Sequence, residues 1–303
     1  MVESAVFLPP RRTGLILNIT AAIVLSGASF VSFVFAFGQD VGILFGVLLM
    51  LGVVLLVPVP LAGYRSYALI SASYRLERDG LRLRWGLRAE DIPLAEVEWV
   101  RRTTDLAYDL PLPPLSIPGA ILGIRSTEEL GPMEFMASDD QRLVLIATRQ
   151  KVFIISPADP DGFIRSFQSG LELGSLVPFA PFSTRPAAYL AKVWSDRVMR
   201  WLVLVGLGLN SALFFMVAVI VPNIPSLPMG FLPSGLPADP GPSSQLMLLP
   251  VLGGLTFTAD LIAGLFFYRR RDQRPVAYLF WSAGIFTPLL LMTGVILLST
   301  VVR

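Results

Sequence analysis

The sequence predicts a multi-pass α-helical membrane protein with five spans and an α+β domain inserted between the second span and the third. Three observations predict it. First, 54% of the 303 residues are hydrophobic and 15% are charged, with mean hydropathy +0.67, whereas soluble domains carry about 25% charged residues. Second, five apolar stretches have the length that crosses a hydrocarbon core, about 20 helical residues. Third, residues 64–173 form the one long stretch that reads as water-soluble, and apolar segments flank it on both sides.

Composition also excludes. The chain has no Cys and no His. That removes disulfides, Cys/His zinc sites, His-ligated haem, thiol nucleophiles and Ser-His-Asp triads. The formal net charge of +2 is too small to suggest nucleic-acid binding. No cofactor is expected.

Residues 1–13 are a short polar head with Pro9, Pro10, Arg11 and Arg12. Residues 14–37 are apolar and uncharged. They exceed the about 7–15 residues of a signal-peptide core and lack its A-x-A-like exit, so they read as the first span. Gly38, Gln39 and Asp40 turn the chain into a second span, 41–63, near whose end Pro58 and Pro60 kink or stop the helix. The two spans form a helical hairpin.

In the soluble stretch, 68–76 reads as a strand. Asp79-Gly80 is a strong hairpin signal. Leu81, Leu83 and Trp85 then alternate with Arg82 and Arg84, giving one apolar and one basic face. Ile92-Pro93-Leu94 leads into a strand at 97–100, and 106–118 is a Pro-rich loop. Further strands are expected at 120–125, 133–137, 143–148 and 152–155, with Arg149-Gln150 turning between the last two. Asp159, Pro160 and Asp161 suit the first turn of a helix and its dipole. Phe163, Ile164 and Phe167 recur behind them at helical spacing. About seven strands and a terminal helix result.

This order resembles the bacterial pleckstrin-homology (PH)-like domains. The residues that carry the resemblance are Tyr74-Arg75-Leu76-Glu77 with Gly80-Leu81, then Ile92-Pro93-Leu94 with Val97, and Ile155-Ser156-Pro157 with Asp159-Pro160 and Phe163. It covers about a third of the chain, and no single motif in it is diagnostic. The resemblance implies a strongly bent seven-stranded barrel plugged at one end by its C-terminal helix. It also implies a binding or scaffolding module without catalytic residues.

Residues 174–200 read as a connector, broken first by Pro178, Pro181 and Pro186. Tyr189, Leu190, Val193, Trp194, Val198 and Trp201 then recur at helical spacing. That pattern fits either an amphipathic helix at the membrane surface or an extension of the third span. Both readings place Trp194 and Trp201 in an aromatic belt. The remaining spans are 201–221, 246–268 and 276–302, within a bundle segment 201–303, and 222–245 is a Pro-rich loop. This half is similar to membrane regions that accompany such domains in bacterial proteins. Pro228 with Phe231, Gly235, Asp239 and Gly241-Pro242 carries that likeness, as does Tyr268-Arg269-Arg270 with Trp281. In that pattern a His often follows the proline of the loop. Met229 stands there in this chain, which puts any ligand role of that His in doubt.

Five spans place 1–13, the soluble domain, the connector and Arg269, Arg270, Arg271 and Arg274 on one side. Of all Lys and Arg, only Arg303 falls on the other. The positive-inside rule then makes the N-terminus and the soluble domain cytoplasmic and the C-terminus external.

Asp260 lies inside the fourth span, where a carboxylate costs about 2.5–3.5 kcal/mol on insertion scales and is a functional candidate by default. It reads either as a proton or cation site or as a hydrogen-bonded tie between helices, with Asn18 or Asn210 as partner. A lone Asp argues against an intramembrane aspartyl protease, which needs a pair. Arg75, Arg82 and Arg84 are candidates to face anionic headgroups or a protein partner. Against this, Glu77, Asp79, Glu90 and Asp91 interleave with them. Residues 64–173 also hold thirteen Arg and Lys against sixteen Asp and Glu, a net of −3, so a solvated strand face is the plainer reading. The pairs Glu128-Glu129 and Asp139-Asp140 read as solvated turns, and Gly52, Gly253 and Gly254 as close-packing positions. The expected function is a membrane-anchored, non-enzymatic interaction protein whose partners are the lipid bilayer and a protein of unspecified identity, not nucleic acid. The alternative is a transporter or channel-like component built around Asp260.

Overall fold

The computed structural model describes residues 5–106, 110–114, 116–173, 182–184, 186–224, 226–228, 233–234 and 239–300. In chain order these form β1 (Ala5–Phe7), α1 (Arg12–Phe37), α2 (Ile43–Leu56), α3 (Pro58–Ser71), β2 (Ser73–Glu77), β3 (Gly80–Trp85), β4 (Arg88–Pro93) and β5 (Val97–Arg102). There follow β6 (Ile121–Thr127), β7 (Gly131–Ala137), β8 (Val144–Thr148), β9 (Val152–Ile155), α4 (Pro160–Leu173), β10 (Phe182–Thr184) and α5 (Pro186–Ser195). The chain ends in α6 (Arg197–Ile220), β11 (Ser226–Pro228), β12 (Pro240–Pro242), α7 (Leu248–Tyr268) and α8 (Arg274–Thr300). It divides into two compact units, 1–27 with 55–186, and 28–54 with 187–303.

In the first unit, β2 and β3 close over the Asp79-Gly80 turn in the register Leu76↔Leu81 and Tyr74↔Leu83. β4 continues the meander, and β1 and β10 add to the two edges, giving the order β1-β2-β3-β4-β10. A second sheet runs β5-β8-β9-β7-β6, with β7 and β9 parallel. Among the described residues the strands form two five-stranded sheets, and no closed barrel is shown. One core lies between the sheets: Tyr74, Leu81 and Leu83 meet Ile146, Phe153 and Phe163 of α4.

The second sheet is buried on its other face too. Leu145, Val152 and Ile154 point there, with Met133 and Phe135 beside them, covered by Leu106, Leu110 and Leu112. Double burial explains why β8 and β9 read as unbroken apolar runs and not as alternating ones. Of the Pro-rich stretch 106–118, residues 107–109 and 115 lie outside the described residues.

Two expectations are corrected here. Residues 68–71 are helical: Ala68 and Leu69 are buried while Tyr67 and Ile70 are exposed, a helical repeat, and the chain leaves the helix only at Ala72. The helix is interrupted at Val57, between α2 and α3, as the prolines predict; Pro58 sits in the first turn of α3, where its missing N–H costs nothing, so the run Ile43–Ser71 extends beyond the expected end at residue 63. β4 is a full strand, although its sequence Arg-Ala-Glu-Asp-Ile-Pro shows little apolar character.

The second unit holds the rest of α1 with α2, and α6, α7 and α8. Five helical stretches, Arg12–Phe37, Ile43–Ser71, Arg197–Asn223, Ser243–Tyr268 and Arg271–Thr300, are long and apolar enough to cross a membrane. The connector helix breaks at Asp196, between α5 and α6. Within the Pro-rich loop, β11 and β12 pair in the register Leu227↔Gly241. Pro178, Pro181, Met229, Phe231, Gly235 and Arg303 lie outside the described residues.

Candidate functional site

The three candidate arginines share the outer face of the first sheet. Arg75 lies opposite Arg82, and Arg84 is two residues along β3. Arg75 is exposed. Arg82 Nη2 pairs with Glu77 Oε2 at 3.1 Å, and Arg84 Nη1 pairs with Asp91 Oδ1 at 2.5 Å. The sheet gathers the cations, but it gathers acids with them.

The asparagine candidates in the apolar helices spend their amides locally. Asn18 Nδ2 donates to Gly14 O at 2.7 Å, in its own helix. Asn210 Nδ2 donates to Gly206 O at 2.9 Å, likewise. A carboxamide four residues after a carbonyl finds that carbonyl before any neighbour. Asp260 is half-buried on α7 and has no hydrogen bond or ion pair among the described residues.

The densest polar site is one the sequence did not announce. Glu134 of β7 is 1% exposed and Glu90 of β4 is 3% exposed, so both carboxylates have lost their water. Glu134 pairs with Arg88 and with Lys151. Glu90 lies 3.8 Å from Arg88 Nη2 and 3.6 Å from Lys151 Nζ, and it accepts a hydrogen bond from Ser183 Oγ at 2.7 Å. Lys151 Nζ also stands 4.2 Å from the centre of the Phe153 ring. Among the described residues two acids and two bases meet here, and pairing of this kind is what makes burying them tolerable; each unpaired ion would cost several kcal/mol. A cavity of about 150 Å³ opens beside the cluster, lined by Glu90, Lys151, Phe153, Phe182 and Ser183 among others. Chemically this is a clamp: β4 and β10 from one sheet are held to β7 and the β8–β9 turn of the other.

A second buried network lies in the same core. The Tyr74 hydroxyl donates to Met136 O at 2.7 Å and accepts from Ser156 N at 3.4 Å, and Ser156 Oγ accepts from Ser138 N at 2.8 Å. Burial raises the Tyr74 pKa well above the ordinary phenol value, against the pull of its bonds to Ser156.

A larger cavity of about 310 Å³ is lined by Pro10, Thr13, Gly14, Ser138, Asp139 and Asp140, among others. Here α1 starts so close to the turn before β6 that a Cβ on Gly14 would overlap the Gly119 backbone. Asp139 Oδ1 caps the turn by accepting from Gln141 N at 3.0 Å. Among the described residues, no group of three or more acids is placed to hold a metal ion.

At one end of the second unit, Asp196 caps α6, accepting from Val198 N at 2.9 Å and Met199 N at 3.3 Å. Its other oxygen accepts from the Tyr268 hydroxyl at 2.8 Å and the Tyr278 hydroxyl at 2.5 Å. Partial burial pushes this carboxyl up, but the bonds from Tyr278, Tyr268 and the two N–H groups outweigh it and hold the pKa below the ordinary value. Nearby, the Tyr189 hydroxyl donates to Leu265 O at 2.5 Å. Burial raises the Tyr189 pKa, and the Arg269 charge opposes the rise.

Comparison with known proteins bears on the first unit. Residues 72–170 match the model of the family described as bacterial PH domain. That segment runs from the end of α3 through β9 and most of α4, so the chain carries a bacterial PH-like domain. No curated protein and no solved structure matches the chain.

Proposed function

We infer that a chain carrying a bacterial PH-like domain among five apolar helices is a membrane-anchored, non-enzymatic interaction protein. The PH-like domain is presented to a protein or membrane-face partner in the cytoplasm, and the helices span the inner membrane. The match over residues 72–170 is the observation that carries the reading, since domains of this kind serve mainly to bind. Orientation is argued from charge: Arg11, Arg12 and the Arg269–Arg271 run flank spans on the side of the PH-like domain, and the Pro-rich loop on the other side carries no Lys or Arg. Two measurements test this. External protease on intact cells leaves the PH-like domain whole; cleavage within 72–170 overturns the orientation. Full-length protein, cross-linked in cells and recovered by affinity capture, retains a defined partner through the PH-like domain. Retention of no partner and no membrane-face contact by that domain overturns the interaction reading.

A carrier role for Asp260 draws on one observation, the absence of a bonded partner for it among the described residues. It predicts that a hydrophobic carbodiimide labels Asp260 in membranes and that a transported cation protects it. Labelling insensitive to every cation tried removes this reading.

A further inference from the structure

We propose that the end of the helical unit at which α5, α6, α7 and α8 meet is a binding collar for anionic phospholipid headgroups. The proposal rests on the membrane reading above. The convergence is built by specific bonds. Asp196 ties the start of α6 to Tyr268 at the end of α7 and Tyr278 near the start of α8, and Tyr189 of α5 bonds to Leu265 O of α7. These ties bring together cations that are distant in the chain. Lys192, Arg197 and Arg200 come from α5 and α6. Arg269, Arg270, Arg271 and Arg274 come from the α7–α8 turn.

Their charge is uncompensated. None of these side chains forms an ion pair among the described residues. Among the described residues of these helix ends only Asp196 and Asp272 are acidic, and Asp196 is committed to two tyrosines and a helix cap. Lys192, Arg197 and Arg269–Arg271 are exposed, while Arg274 lies over the Tyr268 ring at 4.8 Å. Predominantly apolar helices lead away from this end, and Trp194 and Trp201, 51% and 59% exposed, stand at it. Exposed indoles at this level suit the headgroup boundary. Basic clusters directly beside membrane spans attract anionic lipid by about 1 kcal/mol per residue, a factor of about five each. The phosphodiester of an anionic headgroup supplies acceptors to guanidinium donors in the geometry arginine favours.

The test uses full-length protein. Wild type and variants are first challenged with alkaline carbonate, then purified in detergent and titrated with phosphatidylglycerol or phosphatidylcholine, with bound lipid counted by native mass spectrometry. Wild type should hold phosphatidylglycerol at least tenfold more tightly than phosphatidylcholine. R269Q/R270Q/R271Q should lower that affinity by up to about a hundredfold, and R269K/R270K/R271K should keep most of it. K192Q/R197Q leaves the turn intact and should cost about 25-fold. R75Q, an exposed arginine of the other unit, should change nothing. Equal affinity for the two lipids, unchanged affinity in both glutamine variants, or displacement by millimolar inorganic phosphate overturns the proposal. Release of wild type by carbonate overturns instead the membrane reading on which it stands.

Discussion

The two units differ in whether they bury charge. In the PH-like unit the buried groups reach across sheets: Glu134 to Arg88, Glu90 to Lys151, Tyr74 to Met136. In the helical unit no charged pair is buried among the described residues: the buried Ser29 and Ser32 donate to Gly52 O and Leu48 O of the next helix, and the more exposed Asn210, Ser211 and Thr258 fold back on Gly206, Leu207 and Gly254 of their own. The helices are then held by close approach. Gly206 faces Phe257, Gly253 faces Asn210 and Gly264 faces the Trp281 indole. One unit is fixed by charges that need one another, the other by side chains too small to keep backbones apart. The largest effects of substitution should therefore come from unpairing in the first unit and from overfilling in the second.

Unpairing should be the more severe. Glu134→Ala leaves Lys151 and Arg88 facing a buried gap with one carboxylate fewer, and should destabilise the PH-like unit by about 3–5 kcal/mol. Thermal unfolding of full-length protein in detergent, followed by tryptophan fluorescence, measures it. The double variant Glu134→Met with Lys151→Met removes both charges and leaves the Arg88–Glu90 pair, so it should lose less than the single variant. If the double loses as much as the sum of its parts, the clamp is not a charge-balanced unit.

Overfilling comes next. Gly264→Leu places a side chain where the Trp281 indole now lies and should cost about 2–3 kcal/mol by forcing α7 from α8. The same assay on the helical unit reads it, and Gly254→Leu serves as the control, since nothing lies within 4 Å of a Cβ built there. Equal losses at the two positions would mean that helix propensity and not packing is being measured.

How far these sites were legible in the sequence depends on what faced water. β3 was plain because Leu81, Leu83 and Trp85 point inward while Arg82 and Arg84 stay wet, so the period of two is written in polarity. β4 was hidden because its inward Glu90 is charged, and its acceptability rests on Lys151, which no local pattern connects to it. β1 is three residues long, too short to show any period. The five apolar stretches were legible from length and composition alone. Where the second one ended was not, because Pro58 breaks a helix in most positions and is harmless in a first turn. Asp260 drew notice as a charge in an apolar run. Asp196, the more highly bonded acid, looked like an ordinary loop residue, since its partners Tyr268 and Tyr278 lie far along the chain.

Asp196 is where the helical unit departs from its own pattern, and pH sharpens the difference. Its pKa is held below the ordinary carboxylate value by hydrogen bonds. A depressed folded pKa means that the stabilisation is present above the unfolded value, near 3.8, and is lost as pH falls through the folded one. Asp196→Ala removes a helix cap and orphans two tyrosine hydroxyls, and should cost about 1–2 kcal/mol near neutral pH. Below pH 3.8 the gap between wild type and variant should narrow steadily. A gap independent of pH would assign the loss to packing and not to the carboxylate.

The smallest effect should come from the residue that stands out most in the sequence. A carboxylate that ties helices together loses its bond when changed, and the tie is worth most where no water competes. Asp260 has no such bond among the described residues, because Asn210 spends its amide on Gly206 O. Asp260→Asn keeps the shape, removes the ionisable group and breaks no observed contact, so it should shift the unfolding midpoint of the helical unit by no more than about 0.5 kcal/mol. Asn210→Ala should behave similarly, and the two changes together should add. Coupling between them above about 0.5 kcal/mol would reveal a bond between the two side chains, and would return Asp260 to the class of structural ties. Additive, near-silent substitutions leave a carboxylate in an apolar helix that the fold does not need, which is the condition the proposed carrier role for it requires.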